Sequence, residues 1–324
     1  MKAKMAGLLC ALALGYAATA GAQEYPTRQI VMVIPFAAGG PTDTVGRHLA
    51  QLMTKTLKQQ VIVENTAGAG GTIASNKVAK ARPDGYTILL HHIGMSTAPA
   101  LYRQLPFNPL TDFEYIGQVA DVPMTLIAGK KVPANNFKEF MAHLKANADK
   151  MSYGNAGLGA ASHLCGLLFM SSVNIDVQTV PYKGTAPAMT DLVGGQIDFM
   201  CDQTTNTTGQ IQSGAVKVYG VTSAKRVPTL PNVPTLAEQG LKNFEVNVWH
   251  GVYAPKGTPK PVLDKLNAAL RSAVQDTAFR DALGNLGAEP VSADKATPES
   301  LQKHLRAEID KWTPIIKKAG QFAD

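Results

Sequence analysis

The sequence of 324 residues has few cysteines, few aromatic residues and no long run of charge of one sign. It contains three cysteines, and 6% of its residues are aromatic. The 31 basic residues exceed the 24 acidic ones and give a net charge of +7, but they are scattered along the chain. Nucleic-acid binding therefore has little electrostatic support. A hydrophobic content of 45% and a charged content of 17% are typical of globular protein, and this length corresponds to about two domains.

The first 22 residues have the three-part pattern of a secretory signal peptide. Lys2 and Lys4 form a positive start, Leu8–Ala18 is apolar, and Ala20–Ala22 fits an A-x-A cleavage site. We expect residues 1–22 to be removed after Ala22, which deletes two lysines and no acid and lowers the net charge from +7 to +5. The alternative is an uncleaved anchor. The pattern predicts export to the periplasm.

Export changes how the cysteines are interpreted. Cys165 and Cys201 remain in the mature chain, and neither is part of a C-x-x-C motif. A redox motif or a structural zinc site therefore has no support. In an oxidising compartment the two residues form either a disulfide or a pair of buried free thiols, and the sequence leaves both possibilities open.

Strands and helices alternate along the chain. Gln29–Pro35 is an apolar, β-branched run, and a glycine-rich loop and a helical pattern follow it. Gln60–Glu64 is a second strand of the same kind, followed by the glycine-rich loop Thr66–Gly71 and another helix, and Tyr86–Leu90 is a third strand. This order predicts βαβ units and a parallel sheet.

The same order recurs from Met151 onwards, which predicts an α/β fold of two doubly wound domains. The chain has two candidate crossings between the halves, near Gly117–Val122 and near Val246–Gly251. We therefore assign residues 23–120 plus 248–324 to domain 1 and residues 121–247 to an inserted domain 2. Two crossings form a hinge, and the cleft between the domains is the natural ligand site.

Two glycine-rich loops are the candidate binding elements. Each follows a strand and opens a helix, where unpaired N–H groups and the helix dipole attract an anion. Neither loop contains lysine or arginine, which favours a carboxylate held by neutral donors; Asp43 is interpreted as a cap that holds its loop. The first loop provides Phe36, Ala38, Gly39, Gly40, Thr42 and Asp43, and the second provides Asn155, Ala156, Gly157, Gly159, Ser162 and His163.

Further candidates follow other strands. They are His92, Gly94, Met95, Ser96 and Asp202, together with the loop Tyr182–Thr185. Of His91 and His92, one is expected to face the cleft and the other to pack, because adjacent residues on a strand point apart. Asp202 is interpreted as a cap or as a group that selects a ligand amine.

Enzymatic alternatives have weaker patterns. Gly94–Ala98 approaches the G-x-S-x-G motif of hydrolases, which gives a secreted α/β hydrolase that uses Ser96 as the alternative function, but Ala98 replaces the last glycine. The sequence has no G-x-x-x-x-G-K-[ST] motif for nucleotides. We expect no enzyme activity, no cofactor and no metal.

An ordered set of motifs covers nearly the whole mature chain. They are IPFAAGGPTD at 34–43, VEN at 63–65, GAGG at 68–71, PDGYT at 83–87, YGNAG at 153–157, SHL at 162–164, VPYKG at 180–184, GGQID at 194–198, WHG at 249–251 and APKGTP at 254–259. In these motifs, residues 25–324 resemble the periplasmic solute receptors of tripartite tricarboxylate transporters, the Bug or TctC family.

The resemblance implies a type II periplasmic-binding-protein fold, a Venus flytrap that closes on a small carboxylate and docks with membrane permease subunits. It also implies that the loops at Phe36–Asp43 and Asn155–Ser162 hold the ligand. The sequence departs from the family pattern at His91–Met95, where small and hydroxyl residues are more usual. These bulkier side chains suggest a flatter pocket and an aromatic dicarboxylate such as terephthalate. We expect a monomer.

Overall fold

The apolar run of the first predicted strand lies between two parallel neighbours in the sheet. The computed structural model describes residues 25–242 and 244–319, so the predicted signal peptide lies outside the described residues. Strand β1 (Ile30–Ile34) pairs in parallel with β2 on one side and β3 on the other. Because both faces are covered by helices, four of its five side chains are buried.

In the described residues the strands are β1 (Ile30–Ile34), β2 (Val61–Asn65), β3 (Thr87–His92), β4 (Phe113–Ala128), β5 (Ser152–Asn155), β6 (Gln178–Pro181), β7 (Phe199–Gln203), β8 (Lys217–Val221), β9 (Asn247–Pro255) and β10 (Glu289–Pro290). The helices are α1 (Pro41–Leu57), α2 (Thr72–Ala79), α3 (Gly94–Leu101), α4 (Phe137–Asn147), α5 (Ala161–Val173), α6 (Thr185–Gly194), α7 (Thr204–Gln212), α8 (Lys260–Gln275), α9 (Thr277–Gly284) and α10 (Pro298–Ala319). The strand order is β2-β1-β3-β9-β4-β7-β5-β6, and β8 and β10 also pair with β4.

The long strand β4 joins two halves of the molecule. Its first part, up to Pro123, pairs antiparallel with β9, and its last part, from Met124, pairs with β7 and β8. The sheet is therefore mixed, since the two crossing segments run antiparallel to each other. We define the first lobe as residues 25–123 and 247–319 and the second lobe as residues 124–242 and 244–246.

Thr222 connects the two crossing segments at the boundary between the lobes. Its N–H donates to the Met124 carbonyl at 2.9 Å, and its hydroxyl donates to the Val246 carbonyl at 2.6 Å. The Met124 N–H in turn lies 3.0 Å from the Thr222 hydroxyl oxygen. The two crossing segments change lobe within this small network, so rotation of one lobe against the other is expected to centre here.

The second lobe repeats the α/β arrangement of the first. Strand β5 pairs in parallel with β6 and β7. Cys165 of α5 and Cys201 of β7 form a disulfide with their Cα atoms 6.1 Å apart. This bond ties the helix that follows the glycine-rich loop to a neighbouring strand. In both lobes the carboxyl ends of the parallel strands face the same cleft, where open α/β sheets bind ligands.

Candidate functional site between the two lobes

The first glycine-rich loop is held in shape by Asp43. The carboxylate of Asp43 accepts hydrogen bonds from the Gly39 N–H at 2.9 Å, from Arg47 Nε at 2.8 Å and from Asn65 Nδ2 at 2.9 Å. Burial raises the pKa of the Asp43 carboxyl, but the hydrogen bonds from Arg47, Gly39 and Asn65 outweigh burial and leave it below its ordinary value. Asp43 therefore stays charged and fixes the entry to α1.

The second glycine-rich loop is held by its own side chains. The Ser162 hydroxyl oxygen accepts from the Ala156 N–H at 2.8 Å, and Asn155 Oδ1 accepts from the Gly157 N–H at 2.9 Å. Nδ1 of His163 lies 3.4 Å from the Gly159 nitrogen. Because Ser162 accepts from the backbone, its own O–H remains available to donate to another group.

A narrow cavity separates the two loops. Its enclosed volume is small, about 10 Å³. The residues that line it come from both lobes: Phe36, Pro41, Thr42 and His92 from the first, and Ala156, Ala161, Ser162, Thr185, Asp202 and Gln203 from the second. No lysine or arginine is among these residues of the described chain.

Four helix N-termini meet at this cavity. Pro41 and Thr42 begin α1, Ala161 and Ser162 begin α5, Thr185 begins α6, and Gln203 immediately precedes α7. The first N–H groups of a helix have no partner within the helix, and the helix dipole places partial positive charge there. The cavity is therefore suited to anions without any basic side chain. The first lobe contributes one of the four N-termini and the second lobe contributes three.

Aromatic rings form the wall of the cavity on the first lobe. Phe36 stacks on His92 with ring centroids 4.7 Å apart, and it packs against Ala156 and Ala160 of the opposite lobe. His92 faces the cavity, whereas His91 packs against Gly71, where an added Cβ would lie 2.6 Å from the His91 ring. Burial lowers the pKa of His92 well below its usual value, so the ring is neutral at neutral pH.

His250 of β9 contacts the first glycine-rich loop at Thr42. Its Nε2 atom lies 3.3 Å from the hydroxyl oxygen of Thr42. Burial lowers the pKa of His250 to about 3, so the imidazole is neutral and orients the Thr42 hydroxyl without adding charge. Pro41 and Ala161 lie inside the two loops predicted to hold the ligand, although neither was predicted individually, and the lining residue Gln203 and this role of His250 were not predicted. The signal for the three lining residues was their position, because each stands where a helix begins after a strand.

Several predicted site residues lie outside the cavity lining. Ala38 and Gly39 are exposed at the tip of the first loop. Behind His92, the Gly94 N–H donates to His92 Nδ1 at 2.9 Å, and the Met95 sulfur lies 3.7 Å from the Ser75 hydroxyl. Gly94 and Met95 therefore support the cavity wall from within the first lobe and do not line the cavity.

Ser96 lies in the same helix and has an ordinary structural role. Its hydroxyl donates to the Ile93 carbonyl at 2.7 Å, and its side chain is fully buried. A nucleophilic serine needs a base within hydrogen-bonding distance and an exposed Oγ. The geometry of Ser96 shows neither feature.

Other residues of the loops form the contact between the lobes. The Thr97 hydroxyl donates to the Gly159 carbonyl at 3.0 Å, and the Tyr102 hydroxyl lies 2.9 Å from the Leu158 carbonyl oxygen. Gly157 lies against Gly70 of the first lobe. A further hydrogen bond joins the Ala37 N–H to the Lys183 carbonyl at 2.9 Å, and Gly40 lies against Ala186. The structure is thus a closed form, in which the lobes touch around the cavity.

No group of three or more histidine, cysteine, aspartate or glutamate side chains within residues 25–242 and 244–319 is arranged to hold a metal ion. Within the same ranges, no helix has both the length and the apolar character needed to cross a membrane.

Comparison with known proteins assigns the chain to a family. A family model described as tripartite tricarboxylate transporter family receptor, TctC, matches residues 45–321. A protein of Agrobacterium vitis from the TAR-I ttuE-ttuC′ intergenic region is 46% identical over 98% of this chain and 91% of its own length. The protein BugT of Bordetella pertussis is 34% identical over 94% of each chain.

Solved structures give the same result. The periplasmic binding protein BugD is 56% identical and superposes with a TM-score of 0.90 over 91% of this chain and 99% of its own. MatC of Rhodopseudomonas palustris with bound malate is 38% identical, with a TM-score of 0.87 over 90% of this chain and 100% of its own. An R. palustris protein with adipate is 32% identical, with a TM-score of 0.87 over 92% and 99%. The chain therefore belongs to the TctC family of receptors for tripartite tricarboxylate transporters, also known from the Bug proteins.

Proposed function

We propose that the chain captures a small dicarboxylate between its two lobes in the periplasm and delivers it to the membrane permease subunits of a tripartite tricarboxylate transporter. Proteins of this family are periplasmic solute-binding receptors. The observation that carries the proposal is the meeting of helix N-termini from both lobes at one cavity that has no basic side chain. An acid with two carboxylates would neutralise helix ends on both sides of the cleft.

The mechanism is binding without turnover. In an open form the two glycine-rich loops would face solvent. A bound dicarboxylate would bridge the loops, and closure would add the contacts of Thr97, Tyr102 and Ala37 with the second lobe. Contacts made only in the closed form are what allow a ligand to shift the population towards it. The closed form is then the one presented to the permease subunits.

The ligands of related structures favour an aliphatic acid. The related structures carry malate and adipate, which are both aliphatic dicarboxylates. The prediction of an aromatic acid such as terephthalate rests on His92 and Met95, and only His92 faces the cavity. We therefore place aliphatic dicarboxylates ahead of aromatic ones.

The test is a ligand series on the purified exported chain. Succinate, malate, adipate and terephthalate are compared by thermal shift, with acetate and the dimethyl ester of succinate as controls. A dicarboxylate at 100 times its Kd raises the free energy of unfolding by about 2.7 kcal/mol. Stabilisation by at least one dicarboxylate and none by the ester supports the proposal. Indifference to every dicarboxylate contradicts it.

Delivery needs a second experiment in cells. Uptake of the radiolabelled acid is measured in cells that have the permease subunits, with and without this chain. The proposal predicts that uptake at low acid concentration is lost without the chain and restored when it is supplied again. Uptake that does not depend on the chain would show that it serves no transporter.

A further inference from the structure

The cavity contains one acidic side chain, Asp202, in addition to the helix N-termini. Asp202 lies on β7 just before α7 and is 0% exposed. One carboxylate oxygen accepts from the Gln203 N–H at 2.8 Å, and the other accepts from Asn206 Nδ2 at 2.6 Å. These bonds orient the carboxyl group, but they supply no positive charge.

A further polar atom beside Asp202 lacks a partner. Gln203 Oε1 is buried, belongs to a residue that lines the cavity, and has no hydrogen-bond partner. An amide oxygen can only accept a hydrogen bond. Buried polar atoms are rarely left unpaired in native proteins, and an exception calls for an explanation such as an absent ligand. This end of the cavity is therefore built to receive a hydrogen-bond donor.

Among residues 25–242 and 244–319, no cation faces Asp202 from the elements packed around it. His92 of β3 lines the same cavity, and burial lowers its pKa well below the usual value. Burial also lowers the pKa of His250, below Thr42, to about 3. Tyr153 of β5 is buried, its pKa is raised, and it stays neutral. The remaining groups of neighbouring elements face other partners: His163 of α5 faces Gly159, Asp43 of α1 faces Arg47, and Asp191 of α6 faces Tyr182.

The charge state of Asp202 follows from this environment. Burial raises the pKa of Asp202 to about 6, although hydrogen bonds from Asn206, Gln203 and Thr185 act in the opposite direction. In the closed protein at pH 7.5 it is thus mostly ionised. A ligand carboxylate in the same closed cavity would raise its pKa further, since like charges close together do not both ionise readily.

We propose that Asp202 determines which dicarboxylates the cavity accepts. Its carboxylate receives a hydrogen bond from an ammonium or hydroxyl group next to one of the ligand carboxylates, and Gln203 Oε1 accepts from the same group. A dicarboxylate without such a donor binds together with one proton. The buffer in solution releases this proton, and the Asp202 carboxylate takes it up. The proposal rests on the proposed function, because it concerns the same cavity.

The test compares three acids with the same four-carbon backbone: aspartate has an ammonium group, malate a hydroxyl group and succinate neither. Titration calorimetry at pH 7.5 in phosphate and in Tris, which have different ionisation enthalpies, measures the protons taken up on binding. The proposal predicts that succinate binds with uptake of close to one proton and aspartate with none. This comparison uses the unaltered chain, so it does not depend on the folding of any variant.

A substitution then assigns the proton to its residue. Asp202→Asn keeps the shape of the side chain and is expected to abolish proton uptake with succinate. It should weaken aspartate binding by about 30-fold or more, because a buried charge loses its partner, and leave succinate as tight or tighter. Asp176→Asn is the matched control, since Asp176 is exposed and precedes β6 at the strand end opposite the cleft.

The outcomes separate this proposal from the proposed function. If none of the acids of either series binds the unaltered chain, the proposed function fails. If acids bind but succinate takes up no proton, or Asp202→Asn changes all three affinities by the same factor, the role of Asp202 is overturned and the receptor function stands.

Discussion

Gly70 offers a way to keep the lobes apart without altering the cavity. It has φ +59°, and a Cβ atom added to it would lie 1.7 Å from the carbonyl oxygen of Leu158 on the opposite lobe. Because that oxygen belongs to the backbone, the second lobe must shift to admit the methyl group of Gly70→Ala. Forcing an extra carbon into a tight contact costs about 1–3 kcal/mol. The open form has no such contact and avoids this cost.

The left-handed backbone of Gly70 adds a second cost, which a control can remove. An alanine there is strained by about 1–2 kcal/mol in the open and the closed form alike, so the strain lowers stability but cancels from ligand affinity. Gly39 has a similar φ of +79° and no atom within 4 Å of an added Cβ. Gly39→Ala therefore reproduces the strain without the collision between the lobes.

The assay is titration calorimetry with the tightest dicarboxylate, together with small-angle X-ray scattering. Destabilising the closed form by about 2 kcal/mol raises Kd by about 30-fold, and we expect this loss of affinity for Gly70→Ala. We also expect its scattering profile to remain that of the expanded, open form at moderate ligand concentration. Gly39→Ala should bind nearly as tightly as the unaltered chain. Equal affinities for the two variants would refute the idea that binding requires the contact between Gly70 and Leu158.

Three further predictions concern single side chains and pH. Thr97→Val keeps the shape of a residue outside the cavity lining but removes its hydrogen bond across the lobes; a loss of about 1 kcal/mol weakens ligand binding about fivefold, and calorimetry showing unchanged affinity would contradict this. Thr42→Val removes a hydroxyl from the cavity and should weaken dicarboxylate binding about tenfold, with only a small change in the unliganded melting temperature because its contact with His250 is long at 3.3 Å. Burial lowers the pKa of His91 and of His250 to about 3, so the unfolded chain binds more protons below pH 6.5 and stability is lost as pH falls. Between pH 7.5 and 5.0 each of these two histidines lowers the free energy of unfolding by about 2 kcal/mol, while Asp202, with its raised pKa, raises it by about 1 kcal/mol. Urea unfolding that shows equal or greater stability at pH 5.0 would contradict this net loss of stability.

The fold was predictable because its elements repeat a simple pattern. Apolar β-branched runs followed by glycines and an amphipathic helix identify βαβ units, and β1 with α1 has this arrangement. β5 with α5 keeps the order of strand, glycines and helix without the apolar run. The length of β4, 16 residues, was not predictable. Only the change of pairing partner between Pro123 and Met124 makes one continuous strand serve both lobes, and pairing partners distant in sequence leave no local signal.

The sequence predicts which loops form the site, but it does not predict what each residue of those loops contacts. Glycine-rich strand ends followed by helix N-termini identify the loops that contain Thr42 and Ser162, both of which line the cavity. The same pattern does not separate residues that face the cavity from residues that contact the other lobe, such as Gly159, which accepts a hydrogen bond from Thr97. That distinction depends on how the lobes dock, and it is set by contacts between segments about 60 residues apart.

The most direct test of the account is a crystal structure of the exported chain with the dicarboxylate that binds most tightly. The account predicts the ligand inside the closed cleft, with one carboxylate at the start of α1 beside Thr42 and the other at the N-termini of α5 and α6 beside Ser162 and Thr185. A ligand bound elsewhere on the chain, or held in the cleft by lysine or arginine side chains, would contradict it.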